Sequence, residues 1–129
     1  MSNPQAVLIV DDSESIRETL RSLLILEGYT ALEAADGVEA VDTLLLSPDR
    51  LVVLLDLKMP HIAGQDVLVL IGTGEELMRH AYIVMTADKT VLDAEYASLL
   101  TRRGIPLLEK PFDRSVLVRE VARAAHRLT

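Results

Sequence analysis

Five side chains with oxygen or ammonium chemistry sit just past short apolar runs. Asp11 and Asp12 follow Ala6 to Val10, and Asp56 follows Leu51 to Leu55. Thr86 follows Ile83 to Met85, and Lys110 lies just beyond Ile105 to Leu108. If these runs are strands of one sheet, three carboxylates, a hydroxyl and an ammonium converge on one rim. Two unit charges about 4 Å apart repel by about 4 kcal/mol at an effective dielectric of about 20. One lysine offsets only part of that. A hard divalent cation with oxygen ligands offsets the rest. Magnesium suits such a place, because it takes one or two carboxylates, keeps waters and binds phosphate oxygens. Asp11 and Asp12 taken alone have a plainer explanation, since negative charge favours the start of a helix. That explanation does not extend to Asp56, Thr86 and Lys110 in register with them.

The elements that must position these groups are legible as an alternation. Ser13 can cap a helix with Ile16, Leu20, Leu23 and Leu24 on one face, stopped by Gly28. Thr30 to Ala34, with Glu33 inside it, suits an edge strand. Val38, Val41, Leu44 and Leu45 mark a second helix that ends near Ser47-Pro48. Leu51 to Leu55 is unbroken apolar sequence, as in a strand covered on both faces. A loop with Pro60 and Gly64 follows. A third helix is expected over Asp66 to Ile71, interrupted around Gly72-Thr73-Gly74 and resumed toward His80. A fourth strand covers Ile83 to Met85. Val91 to Arg103 reads as the fourth helix, closed by Gly104. Ile105 to Leu108 is the fifth strand. Asp113 caps the last helix, with Val116, Leu117, Val121, Ala124 and Ala125 inward and a Phe112–Leu117 staple across the cap. Five strand-helix units imply a parallel sheet with helices on both faces. The expected fold is α/β, a doubly wound five-stranded parallel sheet of flavodoxin-like order 2-1-3-4-5. Ligands then bind beyond the strand ends at the switch between strands one and three.

Four ordered pieces carry a resemblance: Leu8-Ile9-Val10-Asp11-Asp12, Leu55-Asp56-Leu57-Lys58-Met59-Pro60, Met85-Thr86-Ala87 and Glu109-Lys110-Pro111-Phe112. Together they resemble the response-regulator receiver domains of two-component signalling, chemotaxis regulators among them. The resemblance covers nearly the whole chain. It implies one receiver domain over residues 1–129, with 1–5 as a short tail. It implies Asp56 as phosphoacceptor, and Asp11, Asp12, Asp56 and the Lys58 backbone carbonyl as ligands of Mg2+. Thr86 would hydrogen-bond a phosphoryl oxygen. Lys110 would pair first with Asp56 and then with the phosphoryl group. Ala87 would leave room for the donor, and the Lys110-Pro111 bond is often cis in the family. The implied donor is a phosphohistidine on a histidine kinase or phosphotransfer protein. The chemistry agrees: a carboxylate can attack phosphorus, and positioning and electrostatics supply most of the catalysis. The implied protein is a phosphorylation-dependent switch, not a turnover enzyme. Its output is the face of the fourth helix, fifth strand and last helix, toward a downstream partner, an output domain or a second copy.

Several places depart from the family pattern or stand out within it. Leu107 occupies a position where many receivers carry Tyr or Phe, so the usual aromatic readout is in question; Tyr96 is a candidate substitute. Lys58 and Asp88 would flank the phosphoryl group, either closing it from water or forming a plain exposed pair worth about 0–1 kcal/mol. Val67 to Ile71 is apolar all round, which implies either extra burial or a contact surface. Arg119, Arg123 and Arg127 recur every four residues, on a solvated face or a docking face. His61, His80 and His126 lack zinc spacing and read as loop or surface residues.

Two alternatives belong to other classes, and a third is a variant of the receiver reading. A haloacid-dehalogenase-type phosphatase wants a second Asp two residues after its nucleophile, where this chain has Lys58. A flavodoxin-like cofactor carrier would bring phosphate against Asp11-Asp12. A receiver that no longer takes phosphate would act by protein contact alone. Composition narrows the rest. With 129 residues and no cysteine, one domain without disulfides or thiolate metal sites is expected. No apolar run reaches the roughly 20 residues of a membrane span, and Met1 to Gln5 lacks a signal pattern. A cytoplasmic protein is expected. The net charge of -7 disfavours nucleic acid, although residues 102 to 129 are basic, with seven cations against three acids.

Overall fold

The computed structural model describes residues 4–58 and 74–129. Five strands form one parallel sheet: β1 (Ala6–Val10), β2 (Thr30–Ala34), β3 (Val52–Asp56), β4 (Ala81–Thr86) and β5 (Leu107–Glu109). Their spatial order is β2-β1-β3-β4-β5, as the alternation implies. The register aligns Val10 with Leu55, Asp56 with Met85 and Thr86 with Glu109. The C-terminal strand ends therefore share one rim.

Why the chain folds this way is visible in its periodicities. All of β3 and β4 is buried, so both carry near-continuous apolar sequence. Alternate residues feed two cores. Leu8, Val10, Val53, Leu55 and Val84 point to one side, where α2 (Gly37–Leu46) and α4 (Ala94–Arg103) contribute Ala40, Leu44 and Leu100. A short helix, α3 (Glu75–Met78), adds Leu77 to that side. Val7, Ile9, Leu54, Ile83 and Met85 point to the other, against α1 (Glu14–Leu26) and α5 (Arg114–Arg127).

The helix ends follow the expected signals in most places. Ser13 Oγ accepts from Ile16 N–H at 3.3 Å and starts α1. Gly28, at φ +94°, turns the chain after it. Gly104 closes α4 in the left-handed region, at φ +65°. Asp113 caps α5 through its backbone carbonyl, which accepts from Val116 and Leu117 N–H, and not through its side chain. Phe112 and Leu117 do pack in the same core.

Some expected boundaries move. The fourth helix begins at Ala94, where Asp93 Oδ1 accepts from Glu95 N–H, and not at Val91. Residues Lys89–Val91 form a separate 3-10 turn, because the Asp88 carboxylate captures Thr90 N–H and Oγ1 and holds the chain out of the helix. The fifth strand pairs over Leu107–Glu109, later than the apolar run alone indicates. The resumed third helix is the single turn Glu75–Met78. The remainder of the expected third helix, Asp66 to Ile71, the loop of Pro60 and Gly64, and His61 lie outside the described residues.

His80 is a correction of a different kind. It is buried, not a surface residue. Its Nδ1 accepts from Leu51 N–H and its Nε2 bonds the Leu44 carbonyl, both at 2.9 Å. The ring joins α2, the entry to β3 and the entry to β4.

Candidate functional site

The tight turn from β1 to α1 places Asp11 and Asp12 differently. Asp11 is 1% exposed, while Asp12 faces solvent. Asp11 Oδ1 accepts from Ser13 N–H at 3.0 Å, which holds the carboxylate over the strand end. Arg17, one turn into α1, donates to the Asp11 backbone carbonyl at 2.7 Å and pairs with Glu33 of β2 at 3.1 Å. Sequence reasoning missed Arg17. The signal was its position four residues after the cap, which returns it to the turn it braces.

Asp56 ends β3 and is 6% exposed. Its Oδ1 accepts from Lys58 N–H at 3.2 Å. Burial raises its carboxyl above the ordinary carboxylate value. The Lys58 N–H and the Lys110 charge oppose that rise, and Asp11 and Asp12 add to it. One oxygen from each of Asp11, Asp12 and Asp56 lies within 4.8 Å of the others. All three donors are hard carboxylate oxygens with no nitrogen or sulfur among them, so the set fits magnesium.

Lys110 reaches this cluster from beyond β5. It follows a backbone bond from Lys110 N–H to the Thr86 carbonyl at 2.7 Å and precedes a cis bond to Pro111. Its Nζ lies 2.8 Å from Asp11 Oδ2 and 3.7 Å from Asp56 Oδ2. The expected pairing with Asp56 is present as the longer of two ion pairs, and the shorter one, to Asp11, was not expected. Asp11 is the more deeply buried charge, and a full hydrogen bond to it offsets more desolvation. Asp56 keeps a looser contact.

Thr86 is buried beside Asp56 at the end of β4. Its hydroxyl stands 3.3 Å from both the carbonyl and the N–H of Asp88, so it is parked in its own turn. Ala87 is exposed above it. Asp88 caps the 3-10 turn, and no ion pair joins it to Lys58 among the described residues. Lys58 and the Thr90 bonds together hold its carboxyl below the ordinary value, the Thr90 side chain most. Leu107 is half-buried against the core on the α2–α4 side, and Tyr96 of α4 packs there as well. On α5, Arg119 and Arg123 both pair with Glu120, at 3.9 and 3.2 Å.

A parallel sheet of order 2-1-3-4-5 with an acidic triad, a threonine and a lysine on one rim defines a class of phosphoryl-handling α/β domains. Comparison narrows the class. The family model for the response regulator receiver domain matches residues 7–122. The response regulator MprA of Mycobacterium tuberculosis is 40% identical over 108 residues, spanning 82% of this chain and 44% of that protein. The chain thus spans less than half the length of the curated relatives it matches. Among solved structures, the chemotaxis protein CheY4 of Vibrio cholerae has a TM-score of 0.77 at 26% identity, covering 94% of this chain and 98% of that one. A receiver domain protein of Clostridium thermocellum has a TM-score of 0.80 at 26% identity, covering 95% of each. The chain belongs to the response regulator receiver domain family. It is a phosphorylation-dependent signalling switch, and receiver domains are in general switches and not turnover enzymes.

Proposed function

We propose that Asp56 is the phosphoacceptor, and that Asp11, Asp12, Asp56 and the Lys58 carbonyl hold the magnesium ion that receiver domains bind at such clusters. The observation that carries this reading is the convergence of three carboxylate oxygens within 4.8 Å, with one lysine beside them. Magnesium, when bound, supplies charge stabilisation for the transferring phosphoryl group. The protein's own groups do the rest. Asp56 is held in line by Lys58 N–H and attacks as an anion, so no general base is required. Lys110, already 3.7 Å from Asp56, turns from Asp11 toward the new phosphoryl oxygens. Thr86 leaves the Asp88 backbone and donates its hydroxyl to the phosphoryl group. Exposed Ala87 keeps the approach open to a bulky donor. The donor is a phosphohistidine on a histidine kinase or phosphotransfer protein. Lys58 and Asp88 flank the entrance and tune water access to the acyl phosphate.

The output follows from the rim. Thr86 ends β4, and Leu107 and Tyr96 pack on the side of α4. A shift of Thr86 therefore alters the face of α4, β5 and α5, which meets a downstream protein, an attached output domain or a second copy. A cytoplasmic location fits, and among the described residues no helix is long and apolar enough to cross a membrane.

Incubation with acetyl phosphate and magnesium should add the mass of one phosphoryl group to the intact chain, and Asp56→Asn should abolish the addition. An unchanged mass in the wild type would refute the assignment of Asp56. It would favour a receiver that acts by contact alone.

A further inference from the structure

At the opposite edge of the sheet, where β4 begins, lies a cleft of about 500 Å³. Its walls carry five arginines from four separate segments: Arg50, Arg79, Arg102, Arg103 and Arg127. Among the described residues, no carboxylate side chain lines it. This is a concentrated positive site on a chain whose net charge is -7. Cations in the last turn of a helix are favourable by themselves, which accounts for Arg102, Arg103 and Arg127 one at a time. It does not account for Arg50, on the loop before β3, or for Arg79, after α3. Arg79 is held in place by the carbonyls of Leu44, Ser47 and Asp49, which orient its guanidinium without neutralising it. Among the described residues, no acidic side chain pairs with Arg50, Arg102 or Arg127.

Besides buried His80 and Tyr82, the remainder of the wall is apolar. Met78 is 42% exposed, and Ile105 and Leu128 are half-buried. A cleft of this volume is of small-molecule size, since such pockets run about 300–1,000 Å³. Guanidinium forks match phosphate oxygens in pairs and also stack on flat rings. Cationic and apolar surfaces side by side suit a ligand with a phosphate chain at one end and a planar ring at the other.

We propose that this cleft binds a nucleoside polyphosphate, with its phosphates among Arg50, Arg102 and Arg127 and its base on the apolar wall. The site is separate from the acidic rim. The six residues of β4 run between them, roughly 17 Å. Occupancy would tie the ends of α4 and α5 together, and those helices belong to the output face. The ligand would thereby bias the same equilibrium that phosphorylation shifts.

Calorimetric titration of the full chain with ADP, in chelator so that no metal-nucleotide complex reaches the acidic rim, tests the proposal. Saturable one-to-one binding is expected, with inorganic pyrophosphate weaker. The double variant Arg102→Gln/Arg127→Gln should weaken ADP by about tenfold or more. Arg119→Gln/Arg123→Gln, on α5 but outside the cleft, should change it less than about twofold. Arg50→Gln touches no helix end and should also weaken binding, so the proposal stays testable if the double variant folds poorly. Equal losses in the cleft and control variants would mean diffuse charge and overturn the proposal. So would the absence of saturation by about 1 mM. Pyrophosphate binding as tightly as ADP would overturn the nucleotide assignment. Saturation by a polyglutamate peptide without ADP binding would make the cleft a protein-docking surface and overturn it too. Because Asp56→Asn should leave ADP binding intact, the result stands apart from the assignment of the phosphoacceptor.

Discussion

Asp56 bears a cost that its chemistry requires. Its carboxyl is raised from the ordinary value, chiefly by burial. A carboxylic acid raised on folding contributes stability that is full below the ordinary value and is lost as pH rises through the folded value. Without metal, the Asp56 carboxylate is therefore destabilising at pH above its folded value. Asp56→Asn should melt higher than the wild type in chelator, by about 3–5 °C if about 1 kcal/mol is relieved. The gap should shrink when magnesium is added. A wild type that melts above the variant in chelator would refute this. Lys110 works in the opposite sense. Its bond to buried Asp11 offsets a charge that forms no other ion pair among the described residues. Lys110→Ala should cost on the order of 2 kcal/mol in chelator, below the range for a wholly buried pair because the lysine is 21% exposed. Magnesium should restore much of that loss, and metal affinity should rise. Chemical denaturation with and without magnesium reads both.

At the scale of elements, His80 is the joint between α2, β3 and β4. Nδ1 must be unprotonated to accept from Leu51 N–H, while Nε2–H donates to the Leu44 carbonyl, so the neutral ring is the form that fits. Burial and the neighbouring Arg79 charge lower its affinity for a proton, burial most, against the opposing Leu44 bond. With the folded value below the unfolded 6.5, its contribution is full above pH 6.5 and declines as pH falls toward the folded value. Stability should therefore fall as pH drops below 6.5. His80→Ala should lose about 1–3 kcal/mol at pH 7, because it strands two buried backbone groups. It should also flatten the slope in that window. Urea midpoints at several pH values would show this, and a parallel slope in the variant would contradict it. The 3-10 turn after β4 is an element-scale device too. Asp88 holds it by bonds to Thr90 and leaves Thr86 resting on the Asp88 backbone, so one turn couples the hydroxyl to the start of α4.

Across the whole molecule, a phosphoryl group adds about 1.5–2 negative charges at one rim. A shift from 1:99 to 99:1 between two states needs about 5.5 kcal/mol of differential stabilisation. Leu107 is a smaller lever than an aromatic ring, but it packs into the same core as Tyr96, so Thr86 movement can still reach α4. Leu107→Ala should leave phosphoryl uptake from acetyl phosphate unchanged. It should reduce the phosphorylation-induced change in hydrogen exchange over α4 and β5 by about half or more. An undiminished exchange response would show that the signal bypasses Leu107.

Sequence alone determined the architecture and the rim, because both are written in local pattern. Short apolar runs alternating with segments of helical period read as central parallel strands, and a parallel alternation of five units sets which strand ends are neighbours. Asp11, Asp12, Asp56, Thr86 and Lys110 were legible for that reason. What only the tertiary structure decided were choices among partners that sequence distance hides. Lys110 prefers Asp11 to Asp56, because desolvation depends on depth. His80 is a buried joint, because its two partners lie 29 and 36 residues away. Five arginines meet at one cleft, because helix ends and loops from both halves of the chain converge beneath the sheet. Periodicity reports which face a residue takes, and only packing reports whom it meets there.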